Sequence, residues 1–401
     1  MSEELETQFG AAIAAGKIHG AVICATDAAG RFVYNNALGY RVLLSGEERP
    51  QQLDDVLCLA SATSLITTIA ALQCVERGLV TLDGGLSLIA PELEAQKAIM
   101  GYSGEKPTLQ PPVVEITLEM LLTHLSGYVY HFLDQYVSRW YTASASHKKN
   151  NCQRVEQAFN YPLGFQPGGG WQYGPGLGWA GRVVERITDS TLDDYVHEHI
   201  LRPLGIIKAQ FYPVTRDDLR DHLVDLNPQD PQCLGKAVLG GDGALNKYTK
   251  GAFGGHGLSM AGVDFVKVLR SLLANDGMLL KPSTVDSMFL EYLRPCAELS
   301  LQKVLSGELG TFFRADPAVE IGTSHGLGGL LTLEDIAGGY GKSTLTCAGS
   351  LTIAWFVDRK HDLCGIGAIQ PSLPIRGSGT ILGLKETLYR DIYAKHREWK
   401  R

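Results

Sequence analysis

One helix-forming segment carries most of the information in this sequence: Leu59-Ala60-Ser61-Ala62-Thr63-Ser64-Leu65-Ile66-Thr67-Thr68-Ile69-Ala70-Ala71-Leu72-Gln73. Its apolar side chains would lie on nearly every side of a helix, which predicts a central buried helix over about residues 61–77. Gly78 follows at the point where a left-handed helix end favours glycine. The rest of the chain therefore has to pack around this helix.

Ser61 stands at the start of that helix and is a candidate nucleophile. The free N–H groups and the dipole of a helix N-terminus favour negative charge, which helps both an attacking alkoxide and the oxyanion it creates. Serine is also a favoured N-cap residue, and on this segment alone capping is the better interpretation. Helices that bear an acylated serine carry Ser-x-x-Lys, whereas this helix has Ser64 one turn after Ser61.

Composition bounds the class of protein. The chain has 401 residues, 45% of them hydrophobic, so it can bury a large core, and its net charge of −7 includes no basic patch that would bind nucleic acid or an anionic membrane. The acidic N-terminus lacks an apolar signal region and no apolar run is long enough to span a bilayer, so a soluble, cytoplasmic protein is expected. The eight cysteines are scattered without a Cys-x-x-Cys pair, which predicts free thiols and neither metal nor cofactor. The oligomeric state stays open.

Hydrophobic patterns predict an α+β protein. Helices are expected at about 5–15, 61–77, 117–124, 179–187, 260–275 and 382–399, and strands at 20–25, 31–34, 327–332, 343–347, 352–358 and 364–369. Strands near both ends of the chain indicate one antiparallel sheet assembled from the two termini and flanked by helices. We expect a single domain over 1–401, with an α/β subdomain at about 1–60 and 251–401 and an inserted, mainly helical subdomain at about 61–250.

Two further residues could carry chemistry. Tyr173 lies in a glycine-rich loop before a helix and could act as a general acid or base if its pKa fell below the usual value of about 10, although taken alone it is better interpreted as a packing aromatic. Ser324 lies in Gly322-Thr-Ser-His-Gly326, which matches the GxSxG elbow of α/β-hydrolases. The residues after it are strand-like rather than helical, so this alternative is the weaker one.

Six blocks agree with one family in order and spacing: Ser61 to Asp83, Ile116 to Gly127, Tyr173 to Glu185, Ile200 to Gly205, Gly254 to Leu258, and Thr346 to Ser350 with Trp355 to Asp358. Together they resemble the serine β-lactamase and penicillin-binding-protein superfamily in its esterase/transesterase branch. Within that branch the chain is similar to fungal polyketide esterases and acyltransferases that act on statin side-chain esters. The resemblance covers essentially the whole chain and implies a β-lactamase/transpeptidase-like fold.

The resemblance also implies roles for particular residues. Ser61 would form the acyl-enzyme, Tyr173 would be the accompanying base or proton relay, and the backbone N–H groups of Ser61 and Ser350 would form the oxyanion hole. The substrate would be bound by a set of residues that border the cleft: Tyr130, His256, His325, Cys347, Gly349 and Trp355.

Four positions depart from the family pattern. This chain has Ser64 where the family has its lysine, and Cys347 where the family's strand motif has Trp or His/Lys. It has Gly178 in place of a common Asp and His325 in place of a common Tyr. The lysine takes up the serine proton and stabilises the tyrosine phenolate. Without it, a tyrosine of pKa about 10 is ionised in only about one molecule per thousand at pH 7, which corresponds to about 4 kcal/mol. The neutral Ser64 hydroxyl can hold a water molecule but cannot supply that charge.

These departures leave two explanations and two functions open. A single engineered Lys→Ser change would leave the other motifs intact, whereas four changes around one cleft favour natural divergence. The first function is a carboxylic-ester hydrolase or acyltransferase that acts weakly, through Ser61, on a polyketide-type secondary metabolite. The alternative is a repurposed pocket that does not acylate, as in a cyclase, an isomerase or a ligand-binding protein.

Overall fold

A computed structural model describes residues 3–43, 47–144, 154–211, 214–220, 222–224, 251–307, 310–314, 321–346, 352–371 and 378–401. Its strands are β1 Ile18–Thr26, β2 Val33–Val42, β3 Glu48–Pro50, β4 Val56–Cys58, β5 Ala98–Ser103, β6 Lys106–Gln110, β7 Ala209–Phe211, β8 Leu258–Ala261, β9 Thr323–His325, β10 Leu330–Thr332, β11 Leu345–Thr346, β12 Ile353–Asp358 and β13 Leu363–Pro371. Eight of them form one antiparallel sheet in the order β3-β2-β1-β13-β12-β11-β10-β9. The predicted sheet built from both termini is therefore confirmed.

The first strand, β1, lies between β2 and β13, so the two ends of the chain are joined by backbone hydrogen bonds. Successive side chains of a strand point to opposite faces, and β1 is buried on both. Ile23 packs with the two terminal helices, whereas Val22 belongs to the larger core on the other face. This double burial explains why β1 reads as a continuous apolar run rather than as an alternating one.

The helices are α1 Glu4–Ala14, α2 Thr63–Glu76, α3 Pro91–Glu94, α4 Leu118–Leu122, α5 Gln135–Ala143, α6 Val155–Ala158, α7 Gly176–Thr188, α8 Leu192–Val196, α9 Asp217–Arg220, α10 Gly262–Ala274, α11 Pro282–Met288, α12 Pro295–Ser306, α13 Gly310–Phe313 and α14 Ser378–Trp399. A π-helical turn at His197–Leu201 and 3₁₀ turns at Ala60–Ala62, His131–Leu133 and Arg202–Leu204 complete them. Within the described ranges, no helix combines the length and apolar character that crossing a membrane requires.

The sequence patterns did not predict several elements. The hairpin β5–β6, the small sheet β4-β8-β7 and helices α11 and α12 were missed, and β2 is longer than the predicted strand at 31–34. Residues 258–261 form strand β8, although the sequence pattern predicted that a helix begins at about residue 260. The strands β4, β7 and β8 are only three or four residues long, too short for a clear alternation of side chains. The boundaries of the two subdomains stay a prediction.

Helix α2 is the central helix that its sequence predicts. Buried side chains lie all around it, from Thr63 to Cys74, because other elements pack on every side. It ends as expected, with Gly78 at a φ of 70° in the left-handed region, where glycine carries no steric penalty.

Candidate active site

Ser61 lies in the 3₁₀ turn Ala60–Ala62 that leads into α2. The residue that precedes it, Ala60, has a φ of 45°, a left-handed conformation that costs a non-glycine residue about 1 kcal/mol. The N-cap of α2 is Ala62, and no side chain caps this helix. The capping interpretation of Ser61 is therefore wrong, and the half-buried serine follows directly after a strained residue.

The segment from Gly254 to Leu258 runs beside the start of α2. The Leu59 N–H donates to the Leu258 carbonyl at 2.8 Å, and the Leu258 N–H donates to Thr63 Oγ1 at 3.1 Å. One turn further on, Ser64 Oγ donates to the Gly255 carbonyl at 3.4 Å, a long hydrogen bond. These bonds place Ser64, the position at which the family pattern has lysine, directly against the backbone of Gly255.

Helix α7, which begins three residues after Tyr173, packs against α2 across the same segment. A Cβ on Gly254 would lie 2.5 Å from the Leu177 carbonyl and 2.8 Å from the Thr67 side chain, so only glycine fits between the two helices. A Cβ on Gly255 would lie 3.7 Å from the Gly178 N–H group. The first turns of α2 and α7 therefore meet at Gly254 and Gly255.

Tyr130 lies in the loop after α4, next to Tyr173 and Gly255. The Tyr130 N–H donates to the Tyr173 carbonyl at 3.4 Å, and the two ring centres are 5.8 Å apart. The Tyr130 hydroxyl lies 3.5 Å from the position that a Cβ of Gly255 would take. Burial raises the pKa of Tyr130, so its phenol stays protonated and can donate a hydrogen bond. Tyr130 thus lies between Tyr173 and the Gly255 backbone that Ser64 contacts, and a role of these three side chains in one cleft stays a prediction.

Sequence reasoning missed His124, which lies against Tyr173. The two ring centres are 4.5 Å apart, and the N–H of Gly174 donates to His124 Nδ1 at 3.3 Å. His124 follows the end of α4 in the left-handed region, with a φ of 61°, where the sequence pattern indicated only an ordinary helix end. This left-handed φ is a property of the folded backbone, so the sequence pattern alone gave no signal for His124.

His325 is the last residue of β9, and its ring also packs against His124, with ring centres 5.5 Å apart. The turn that follows it rests on α2, since a Cβ on Gly328 would lie 3.0 Å from the Leu65 side chain. Strand β10 follows this turn, so Ser324 lies in a strand without the helix that a GxSxG elbow needs. The preference against Ser324 is confirmed.

The remaining predicted residues divide into two groups. His256 is half-buried, 5.2 Å from the Phe253 ring, and Trp355 is buried in β12 beneath Gly329, whose Cβ would lie 3.2 Å from the indole. Both lie near the segments described above, and their contact with substrate stays a prediction. Cys347, Gly349 and Ser350 lie outside the described residues.

Three histidines in this region are neutral. Burial lowers the pKa of His325 and of His256 to about 4, and it lowers the pKa of His124 well below its usual range, with the neighbouring His325 adding to the effect. A neutral imidazole has one N–H donor and one acceptor nitrogen, which suits hydrogen bonding to uncharged groups. The chemistry available here is therefore that of hydroxyls and neutral rings.

We expect the buried histidines to make the protein acid-labile. The folded-state pKa of His325, about 4, lies below the value of about 6.5 in an unfolded chain, so the unfolded state binds a proton first as the pH falls. The stability from keeping this ring neutral is fully present above about pH 6.5, and about 3 kcal/mol of it is lost by pH 4. Urea unfolding midpoints measured between pH 7.5 and 4.5 should fall accordingly, and His325→Phe should flatten that fall.

His396→Phe provides the comparison for this measurement. Burial also lowers the pKa of His396 to about 4, but this ring packs on Phe32 and Trp399 at the C-terminal helix. His396→Phe should flatten the fall of stability with falling pH without changing ester turnover. An unchanged pH slope in both variants would contradict the prediction.

The described residues offer one group of potential metal ligands, Asp54, Asp55 and His222. Asp55 is ion-paired with Arg41, and Lys208 Nζ lies 3.0 Å from Asp54. Two protein cations already balance these carboxylates, so the group is better explained as an ion-pair cluster. The five cysteines that the structure describes are free thiols, as predicted: Cys24, Cys58, Cys74, Cys296 and Cys364.

Comparisons with known proteins agree with this architecture. The sequence pattern of the family described as Beta-lactamase matches residues 3–367. A lovastatin esterase from Penicillium rubens is 59% identical over 399 residues, which cover 99% of both chains. A monacolin J acid methylbutanoyltransferase from Aspergillus terreus is 34% identical, over 98% of this chain and 96% of its own. Unliganded simvastatin synthase from Aspergillus terreus superposes with a TM-score of 0.85 at 33% identity and covers 98% of each chain. The match across nearly the whole sequence and fold makes this chain a member of the β-lactamase family.

Proposed function

We propose that this protein is a carboxylic-ester hydrolase or acyltransferase that acts on a polyketide-type ester through an acyl group on Ser61. The observation that carries the proposal is the meeting of the first turns of α2 and α7, where Ser64 and Tyr130 lie against Gly255 and Tyr130 packs against Tyr173. The similarity to a lovastatin esterase and to an acyltransferase of monacolin J acid supports both the reaction and the class of substrate.

In the proposed first half-reaction, Ser61 Oγ attacks the ester carbonyl and forms the acyl–serine bond. The Ser61 proton passes to Tyr173 and from there to the leaving alcohol. The backbone N–H groups of Ser61 and Ser350 hold the oxyanion while it exists. In the second half-reaction, water or another alcohol attacks the acyl carbon and Ser61 leaves as the hydroxyl, which gives hydrolysis or transfer respectively.

Ser64 makes the first step slow in this account. Its hydroxyl is already a donor to the Gly255 carbonyl, and it has no charge with which to stabilise a Tyr173 phenolate. General-base assistance is typically worth a factor of about 10² to 10⁴. We therefore expect turnover below that of relatives that carry lysine at this position.

Three of the residues proposed to contact the substrate offer neutral hydrogen-bonding groups. Tyr130 offers a protonated phenol, and His256 and His325 offer neutral imidazoles. Trp355 would border the acyl chain as an apolar wall, together with Cys347 and Gly349. The cytoplasmic location, and the absence of nucleic-acid and membrane partners, stay predictions.

Intact-protein mass spectrometry after incubation with p-nitrophenyl butanoate tests the proposal. The expected result is the mass of one added butanoyl group, which peptide mapping assigns to Ser61. The replacement of lysine by Ser64 favours one other function, a pocket that binds its ligand without acylation. Absence of the adduct, combined with a raised melting temperature when a polyketide ligand is added, would support that function instead.

A further inference from the structure

Two neighbouring histidines, of which His124 packs against Tyr173, have fixed and opposite hydrogen-bonding roles. His325 Nδ1 lies 2.6 Å from the Gly326 carbonyl. A carbonyl can only accept, so Nδ1 carries the proton, and Nε2 of this neutral ring is an acceptor. In His124 the assignment is reversed. Its Nδ1 accepts the N–H of Gly174, so the proton of the neutral ring is on Nε2, which is a donor.

The acceptor of His325 is unused. The residue is 1% exposed, and among the described residues no group donates to its Nε2. A buried acceptor without a partner costs free energy, and native proteins rarely leave one unsatisfied unless a ligand or a water molecule serves it. The indole of Trp171, 6.1 Å away between ring centres, also has a buried N–H without a partner among those residues.

A single O–H group satisfies this arrangement. The His124 and His325 rings are perpendicular to within 10°, at an interplanar angle of 82°, with centres 5.5 Å apart. One hydroxyl group can accept a hydrogen bond from the Nε2 donor of His124 and donate one to the Nε2 acceptor of His325. An ammonium group could not accept from His124, and a carboxylate could not donate to His325. The chemistry of the pair therefore selects a neutral hydroxyl.

We propose that His124 and His325 form a hydroxyl-binding subsite next to Tyr173, and that it holds either a free hydroxyl of the substrate's alcohol portion or a water molecule. This inference rests on the proposed function, because the hydroxyl lies beside the tyrosine that serves the leaving and the attacking alcohol. His325 is then a specificity-determining residue. It favours esters whose alcohol portion carries a second, unesterified hydroxyl.

Two esters that differ only in that group test the proposal: the monobutanoate of trans-1,3-cyclohexanediol and cyclohexyl butanoate. We expect the protein to prefer the hydroxylated ester by about tenfold or more in kcat/KM, because a site built to bond a hydroxyl discriminates against its absence. His325→Phe should reduce the preference to less than about twofold. His325→Gln should keep it, because the Gln side-chain oxygen reaches the position of Nε2. His396→Phe, a buried histidine outside the site, is the matched control and should also keep it.

The outcomes separate the two sources of the hydroxyl. If the unchanged protein turns over both esters at equal rates, and if His325→Phe but not His396→Phe slows hydrolysis of the butanoyl-enzyme, the subsite holds water. A folded His325→Phe variant that keeps both the preference and the hydrolysis rate would overturn the subsite.

A binding measurement distinguishes this proposal from the proposed function. In Ser61→Ala, the ¹⁵N resonance of His325 Nε2 should shift when trans-1,3-cyclohexanediol is added and should stay in place with cyclohexanol of the same concentration. This readout needs no turnover, so a missing acyl adduct would count against Ser61 chemistry alone. No shift with the diol, together with no effect of His325→Phe on hydrolysis, would count against the subsite.

Discussion

Replacement of Ser64 with lysine is expected to raise kcat/KM for p-nitrophenyl butanoate by about 10² to 10⁴. Position 64 lies in the first turn of α2, three residues after Ser61 in the preceding 3₁₀ turn, so we expect an ammonium group there to reach the nucleophile. It can take up the serine proton, and its charge favours a Tyr173 phenolate over the phenol. The change therefore restores both functions that the present hydroxyl, bonded to the Gly255 carbonyl, cannot perform.

Ser64→Met is the matched control for this prediction. Methionine has an unbranched side chain of a volume similar to that of lysine but carries no charge. A gain in turnover caused by packing would therefore appear in both variants. We expect Ser64→Met to remain at the level of the unchanged protein or below it. If Ser64→Lys gives no more turnover than Ser64→Met, the account of the missing base is wrong. Adding Tyr173→Phe to Ser64→Lys should remove most of the gain, because the two groups act as a unit.

Ser61→Ala is expected to abolish the butanoyl adduct and to lower ester turnover by about a thousandfold or to the uncatalysed rate. Without Oγ no acyl–serine bond can form, and the remaining groups can only bind the ester. The melting temperature should change little, because Ser61 makes no capping hydrogen bond to α2 that the substitution would remove. Loss of turnover at unchanged stability is the signature of a nucleophile.

Ser324→Ala is the control that separates the two candidate serines. Ser324 is buried in β9 and is followed by a turn and β10, so its loss should leave both the adduct and turnover in place. The opposite result, with Ser324 required and Ser61 dispensable, would refute the proposed mechanism. If neither serine is required, the non-acylating pocket becomes the better account.

The pattern of residues predicted the elements whose side chains repeat over many positions. Helix α2 is apolar on all sides and is buried on all sides, and the long strands β1, β12 and β13 appear where alternating or apolar runs indicated strands. Short elements were not predicted. β4 and β8 have too few residues for a period, and they exist because they pair with each other across a wide separation in sequence.

The sequence by itself determined which residues could carry chemistry, because residue type and spacing are local properties: a serine at the start of a buried helix, a serine where lysine would complete the motif, and a tyrosine in a glycine-rich loop. Only the tertiary structure decided which of them meet. Gly254 and Gly255 bring α2 and α7 together, and the left-handed backbone of His124 turns its ring toward Tyr173 and His325. These contacts join segments far apart in the chain, and their geometry depends on how whole elements pack, which no local pattern encodes.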